Sequence, residues 1–215
     1  MKRPLTIVLG LALLLSLAMP QAQAAKPDHD RYRSRVVNAF WHSRRHVDRH
    51  TYLRITWYAG VYETQDHFFS DLYRSVEKCR RNDGGGSRCR YQQRHSWYGS
   101  IRKIGTGSFS LDRRLTSSHV DATYRLFRTV GHDRKLVGHA HIVFDVTGSG
   151  DLTRSRDSYW SKSGCTLFRY GSRYVYRQSV ATGTLSMDGA DAWSLGSTKD
   201  ANMNAGTSLY LQHEC

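Results

Sequence analysis

Two segments of the chain alternate apolar and polar residues with a period of two, and this pattern constrains the possible folds most strongly. In residues 51–62 the apolar face is formed by Leu53, Ile55, Trp57, Ala59 and Val61. In residues 135–147 it is formed by Leu136, Gly138, Ala140, Ile142, Phe144 and Val146. A period of two is the side-chain repeat of a β-strand, and one apolar face beside one polar face is typical of an antiparallel sheet with one solvated side.

Weaker segments with the same alternation fill most of the remaining chain. They lie at about residues 36–41, 67–79, 89–101, 107–115, 119–129, 152–160, 166–170, 174–185 and 207–213. Short glycine-rich turns separate them, and strands do not alternate with helices. The sequence therefore predicts a single all-β domain at residues 36–215, built as an antiparallel β-barrel or a two-sheet sandwich of about ten strands.

Residues 31–50 fit two interpretations. As a helix, the segment places His42, His46 and His50 on one face, because they are spaced four apart. As a strand followed by a polar loop, it leaves Phe40 and Trp41 in or beside the sheet core. We favour the strand, because the sequence has no evident helix cap here.

The N-terminus has the three parts of a secretory signal peptide. Basic residues precede an apolar run at residues 5–18, Pro20 ends that run, and the AQA segment at 22–24 supplies small residues for cleavage. The run is shorter than the roughly 20 residues that a membrane span needs. We therefore expect residues 1–24 to be removed and the protein to be secreted, extracellular and without a membrane span. Residues 25–35 are predicted to form a flexible arm.

The four cysteines all follow the predicted cleavage site, and an even number in a secreted chain predicts disulfides. Cys79 and Cys89 bracket Asn-Asp-Gly-Gly-Gly, whose residues accept the positive φ of a tight reversal. These two cysteines are expected to close a clasp of about eleven residues. By elimination, Cys165 pairs with Cys215.

The predicted clasp also implies a register for the strands on either side of it. If the whole hairpin follows the clasp, Asp71 lies opposite Trp97, and Arg74 lies opposite Arg94. The second pair brings two positive charges together, which is tolerable only on a solvated face.

A series of turn and strand residues in the C-terminal half provides the one resemblance to known proteins. The residues are Thr147, Gly148, Gly150, Gly164, Cys165, Ala181, Gly183 and Thr184. They match a T-G-x-G turn, a basic strand, a G-C step and a strand leading to A-x-G-T, and in this the chain resembles secreted actinobacterial proteins of unknown function. The resemblance implies an all-β secreted protein and assigns no catalytic residue. The first half departs from it, because a cysteine near the first strand is missing.

Histidines are the candidate metal ligands. His139 and His141 are two apart in a predicted strand and therefore point to the same face. A third ligand would have to come from His119, from His95 or from the loop at residues 42–50. The alternation itself places both strand histidines on the solvated face, so we predict neither a metal nor another cofactor.

The sequence lacks the hydrolase motifs G-x-S-x-G and H-E-x-x-H. A glycosidase needs two facing carboxylates, whereas Asp71, Asp121 and Asp145 lie on separate predicted strands. This favours a protein without enzymatic activity, and a hydrolase whose site is assembled from distant residues is the alternative. A third hypothesis is a barrel that binds a small apolar ligand, since thirteen Tyr, seven Phe and five Trp can line a cavity as well as fill a core.

The net charge of +14, from 32 basic and 18 acidic residues, is the strongest functional signal. Arginine beside aromatic rings is suited to phosphate, sulfate or carboxylate groups. We predict an anion-binding patch formed by Arg154, Arg156, Arg169 and Arg173. The expected partner is an anionic polysaccharide or cell-wall polymer, and nucleic acid is a further polyanion of the same charge. The alternative is a solvated basic surface that keeps a secreted protein soluble.

Overall fold

The structure is a computed structural model that describes residues 28–65, 67–82, 84–102 and 107–213, and these residues are almost entirely in β-strands. Apart from a short 3₁₀ helix at Gln93–His95, the elements within those ranges are strands, and no helix there is long and apolar enough to cross a membrane. The strands are Asp28–His46 (β1), Thr51–Thr64 (β2), Phe68–Arg81 (β3), Ser87–Tyr91 (β4), Trp97–Ile101 (β5), Gly107–Leu111 (β6), Ser117–Val130 (β7), Asp133–Gly148 (β8), Thr153–Ser163 (β9), Thr166–Met187 (β10) and Trp193–His213 (β11).

Eight of the strands pair in a closed antiparallel ring. The order round the ring is β1, β2, β3, β5, β7, β8, β10 and β11, so each ring strand pairs with the next ring strand along the chain. β11 closes the ring, because it pairs with β10 on one edge and with β1 on the other. The short strands β4 and β6 pair with β3 and β7, and β9 pairs with β10. The prediction of an all-β antiparallel fold is confirmed.

The inside of the ring is filled by the apolar faces of its strands. Trp41 packs edge-on against Phe144, with ring centroids 5.5 Å apart. Gly183 lies beside both, and a Cβ added there would be 2.9 Å from the Cβ of Phe144. Residues that are fully or almost fully buried include Val37, Val61, Leu72, Leu126, Ile142, Leu185 and Met203.

One polar contact lies within this apolar interior. The hydroxyl of Tyr124 hydrogen-bonds the hydroxyl of Ser70, which in turn donates to the carbonyl of Gly60 at 3.2 Å. Burial raises the pKa of Tyr124 well above that of an exposed tyrosine. The pair therefore stays neutral, and it joins β7 to β3 across the ring.

Several strands are longer than the sequence indicated. The segments predicted at residues 166–170 and 174–185 form one strand, β10, and β11 begins at Trp193, well before the predicted 207–213. Residues 28–35 of the predicted flexible arm instead form the start of β1 and pair with β11. Pairing with strands that are distant in the sequence explains the difference, because those strands provide hydrogen-bond partners that the local sequence does not reveal.

The strand interpretation of residues 31–50 is confirmed, and the helix alternative is wrong. β1 continues to His46, and a turn follows in which the carboxylate of Asp48 accepts the backbone N–H groups of His50 and Thr51 at 2.9 and 2.8 Å. These two bonds lower the pKa of Asp48.

The predicted register of the clasp holds only near the disulfide. Cys79 pairs with Cys89, but the 3₁₀ helix at Gln93–His95 then shifts the partner strand, so Asp71 lies opposite Ser100 and Arg74 lies opposite Trp97. The predicted pairs Asp71–Trp97 and Arg74–Arg94 are therefore wrong.

The shifted register removes the clash of two like charges and gives Arg74 a better environment. Its guanidinium lies 4.6 Å from the ring centroid of Trp97 and 5.8 Å from that of Trp57, and it donates to the carbonyl of His95 at 2.6 Å. Burial between the two indoles lowers the pKa of Arg74, and cation–π attraction offsets part of the desolvation.

The clasp itself is confirmed, since Cys79 and Cys89 form a disulfide. The second predicted bridge involves Cys215, which lies outside the described residues, and none of the described cysteines is a free thiol.

Four strands extend past one end of the ring as a single-layer sheet, which we call the extension. It consists of β9, residues 166–176 of β10, residues 204–212 of β11 and residues 28–36 of β1. The turn between β9 and β10 at Gly164, which has a φ of 56°, forms its tip. The opposite end of the ring carries the β3–β4 clasp and the β1–β2 turn.

Removing the clasp should destabilise the fold measurably. The double variant Cys79→Ala/Cys89→Ala should lower the free energy of unfolding by about 3 kcal/mol, because an eleven-residue loop is no longer closed in the unfolded chain. Urea denaturation of the oxidised wild type and of the variant measures this difference. An unchanged midpoint in urea would show that the disulfide adds nothing to stability.

The packing of the ring interior makes a second prediction. Phe144→Ala should cost about 3–5 kcal/mol, because it leaves a cavity beside Trp41. Val143→Ala, one residue away on the outer face, should cost less than about 1.5 kcal/mol. Thermal unfolding followed by near-ultraviolet circular dichroism compares the two, and equal losses would contradict a filled interior.

Candidate anion-binding surface

The extension has two different faces because neighbouring residues of each strand point in opposite directions. One face continues the interior of the ring, and we call it the arginine face. It carries Arg31 and Arg33 from β1, Arg154 and Arg156 from β9, and Arg169 and Arg173 from β10. All six side chains are exposed. The four arginines predicted from sequence therefore share one face of two adjacent strands, and the structure adds two from β1.

The spacing of the arginines follows from sheet geometry. Strands are about 4.8 Å apart, and residues on one face of a strand repeat about every 6.8 Å. The six positions therefore fit within a patch about 14 Å across and 20 Å along the strands. A patch of this size meets several charged groups of an extended polymer at once.

One pair on this face is placed unfavourably for stability. Arg156 lies directly opposite Arg173 in the β9–β10 pairing, and Arg33 follows in the same row beyond Thr207. Like charges directly opposite each other on a sheet repel and cost stability. An anion placed between the two guanidinium groups would reverse this repulsion.

Two neighbouring arginines outside the patch have hydrogen-bond partners. Arg35 donates to the carboxylate of Glu63 at 2.6 Å, and Arg177 donates to the carbonyl of Gly150 at 2.9 Å. Within the part of the chain that the structure describes, none of the six guanidinium groups of the arginine face forms an ion pair. Their positive charge is therefore not paired with any described carboxylate, and it faces solvent.

The arginine face contains a groove of about 380 Å³. Arg31, Arg156 and Arg173 line it, and Gly171 lies in its floor. A Cβ added at Gly171 would meet no heavy atom within 4 Å, so the missing side chain opens this part of the groove. The groove is thus a depression on the sheet surface whose charged lining consists of three arginines and one aspartate, Asp157.

An exposed aromatic residue lies next to the groove on the same face. Trp160 pairs with Arg169 and is 69% exposed, which is unusual for the largest apolar side chain. Together with Leu167 these residues line a second, mostly apolar hollow of about 350 Å³. A flat indole beside arginines can stack on a ring of a ligand while the arginines bind its charges.

The opposite face of the extension is polar but not basic. The hydroxyls of Tyr170 and Tyr174 lie 3.2 Å apart, and that of Tyr174 is 3.2 Å from the hydroxyl of Ser208. The ring of Tyr174 covers Gly206, a pairing that replaces the side chain missing from the glycine. The positive charge of the extension is therefore concentrated on one side.

The histidines considered as metal ligands lie on the outer face of the ring. His141 is 2.7 Å from Asp121, and His119 is 2.7 Å from Asp145. The backbone N–H of His139 donates to the carboxylate of Asp188 at 2.7 Å. Each histidine thus has its own aspartate, and none of the three belongs to a group of three ligand atoms close enough to share a metal ion among the described residues.

Among the described residues, one group of potential ligand atoms is close enough to share a metal ion: Glu77, Cys79 and Cys89. The two sulfur atoms are joined in the disulfide. A cysteine binds a metal as a thiolate, and the sulfurs of a disulfide are not thiolates. This group therefore does not fit a metal. The carboxylate of Glu77 instead accepts the Nε of Arg54 at 2.5 Å.

Sequence reasoning missed Arg31 and Arg33 because it assigned them to a flexible arm. The signal was present in the run RYRSR at residues 31–35, where arginine alternates with other residues at the period of a strand. This short alternation has no apolar face, so it did not lead to the prediction of a strand.

Comparison with models of known protein families and with curated protein sequences gave no match to this chain.

The repulsion within the arginine face predicts an uncommon stability effect. Arg156→Gln should raise the free energy of unfolding by about 0.2–1 kcal/mol at low salt, because it removes a like charge opposite Arg173. The gain should shrink as salt screens the charges. Arg154→Gln is the control, since Arg154 lies opposite Val175. Equal effects of both variants in thermal unfolding would contradict a specific pair repulsion.

Proposed function

We propose that this protein is a secreted, non-enzymatic β-domain that binds an anionic extracellular polymer through the arginine face. One observation carries the proposal: six exposed arginines without ion-pair partners among the described residues occupy one face of the extension, and two of them oppose each other directly. Such an arrangement costs stability in the absence of a ligand. Binding of an anion offsets that cost.

The chemistry of the surface favours a polymer with repeated negative charges and sugar rings. The arginines are spread over a patch longer than a single phosphate or sulfate group, so one small anion would leave most of them unpaired. Trp160 offers a flat apolar surface next to Arg169. An anionic polysaccharide or cell-wall polymer presents both kinds of group in alternation.

The two alternative functions gain no comparable support. A hydrolase would need a histidine and a carboxylate sheltered in a cleft, whereas the pairs His119–Asp145 and His141–Asp121 lie on an open outer face with side chains 44–65% exposed. A carrier of an apolar ligand would need space within the ring. That interior contains closely packed residues such as Trp41 and Phe144.

Salt dependence of binding tests the proposal. Each anionic group in contact releases counterions, so replacing Arg154, Arg156, Arg169 and Arg173 by alanine should reduce the slope of log affinity against log salt by about three. Heparin, a teichoic polymer and single-stranded DNA serve as probes, each titrated at salt concentrations from about 0.05 M to about 0.3 M. We expect wild-type protein to retain a polysaccharide or wall polymer at about 0.15 M salt and the variant to release it.

The control variant must remove four positive charges outside both the arginine face and the groove beside it. Arg113, Arg114, Lys135 and Lys199 are exposed and lie on other strands and turns. Arginines at the clasp are unsuitable, because Arg80, Arg88 and Arg90 line a groove of their own. If the control loses as much affinity as the arginine-face variant, attraction is non-specific and the proposal fails. Preferential retention of DNA would change the polymer class.

A substitution that leaves the charge unchanged tests the shape of the site. Gly171→Val should fold normally, because its Cβ meets no heavy atom and valine favours strands. Its side chain enters the groove beside Arg156 and Arg173, so affinity for the retained polymer should fall several-fold. Thermal unfolding checks the fold. Unchanged affinity would show that the polymer does not enter the groove.

A further inference from the structure

A large groove lies at the end of the ring opposite the extension. Its volume is about 890 Å³, within the range typical of ligand sites. The β3–β4 hairpin forms one wall, the β1–β2 turn another, and residues 92–94 the third. We call it the clasp groove. Along β1, it is roughly 40 Å of strand away from the arginine face.

Five cationic side chains line the clasp groove: Lys78, Arg80, Arg88, Arg90 and Arg94. Four of them belong to the hairpin, where Lys78 lies opposite Arg90, and Arg80 lies opposite Arg88. Alternation along the strands puts these four on one face and the disulfide on the other. The hairpin thus presents two rows of like-charged pairs on either side of the Cys79–Cys89 row.

Among the described residues, these charges have no acidic partner. The neighbouring acid on the hairpin, Glu77, points to the other face and binds Arg54. Within the described residues, none of the five cations forms an ion pair. Asp48 is the one acidic residue in the lining, and its carboxylate already accepts two backbone N–H groups of its own turn.

The disulfide explains how such a hairpin holds together. Two rows of like charges repel between β3 and β4, and among the described strands β4 pairs with β3 alone, whereas β3 is also held by β2. The covalent bond between Cys79 and Cys89 fixes the two strands in register despite this repulsion. The clasp therefore stabilises the fold and also holds the cations at fixed positions.

We propose that the clasp groove binds a small multivalent oxyanion, a compound with several phosphate or sulfate groups. Arginine forks bind such groups by paired, charge-assisted hydrogen bonds. The concave shape and the position of five cations around one volume suit a compact ligand, whereas the open arginine face suits an extended one. This second site is independent of the function proposed for the extension.

Titration calorimetry with tripolyphosphate, on the oxidised secreted protein, tests the proposal. We expect one ligand per protein and weaker binding of monophosphate, because monophosphate reaches fewer of the cations. Arg80→Ala should weaken tripolyphosphate binding about tenfold. Arg81→Ala is a matched control, because it removes the same charge one residue away on the opposite face of β3. Equal losses for both variants, or no binding to wild type, would overturn the proposal.

A variant without the disulfide provides a second test of the proposal. The variant Cys79→Ser/Cys89→Ser should bind tripolyphosphate at least several-fold more weakly, since the cations are no longer held in register. The same variant should bind the polymer of the arginine face as wild type does. Unchanged tripolyphosphate binding would show that the clasp does not shape the site, and loss of polymer binding at the extension as well would indicate unfolding.

A measurement on wild-type protein guards against variants that fail to fold. Tripolyphosphate should protect Lys78 from acetylation, while Lys199, which is exposed and outside the groove, should react unchanged. Peptide mass spectrometry quantifies both sites. Protection of Lys199 to the same degree would indicate diffuse attraction and would contradict a site. Polymer retention tests the arginine face separately, so either proposal can fail without affecting the other.

Discussion

The pairing of β11 with both β1 and β10 is the interaction on which the rest of the structure depends. Without β11, the remaining strands would form an open sheet with exposed edges at β1 and β10, and such edges invite aggregation. With it, the sheet closes and its apolar faces meet in one interior. Ile142 and Met203 reach zero exposure there. This closure joins residues more than 150 positions apart, so it demands a large loss of chain entropy that the packed interior has to offset.

The same strands also produce the arginine face, because they continue past the end of the ring. In β1 and β11, the inward face is apolar where it meets the interior, as at Val37 and Met203. Beyond the ring none of the described strands covers that face, and the same alternation now presents Arg33 and Thr207 to water. The change from apolar to basic residues thus follows the point where the interior ends. A rigid sheet then holds charges that a flexible segment would let drift apart.

Positive charge gathers at both ends of the molecule, and each end tolerates the repulsion in a different way. The extension spreads its arginines over three of its four strands, β1, β9 and β10, so that a single directly opposed pair, Arg156 and Arg173, bears most of the cost. The clasp hairpin has two opposed pairs on two strands and relies on a covalent bond between them. Within the ring, by contrast, Arg74 lies between two indoles. The 3₁₀ helix before β5 shifts the register, so that Trp97 rather than an arginine lies opposite Arg74.

The sequence by itself determined the fold class, the clasp and the faces of the main strands. Alternation at residues 51–62 and 135–147 is a local property, because one buried face imposes a period of two whatever the partner strand is. Glycines between Cys79 and Cys89 likewise allow a reversal without reference to the rest of the chain. Only the tertiary structure decided that β10 is continuous, that residues 28–35 belong to the sheet and that β3 changes register before β5. Those features depend on hydrogen bonds to distant strands, and a strand without an apolar face gives no local sign of its partner. The arginines of β1 therefore joined those of β9 and β10 only when β11 brought the two ends of the chain together.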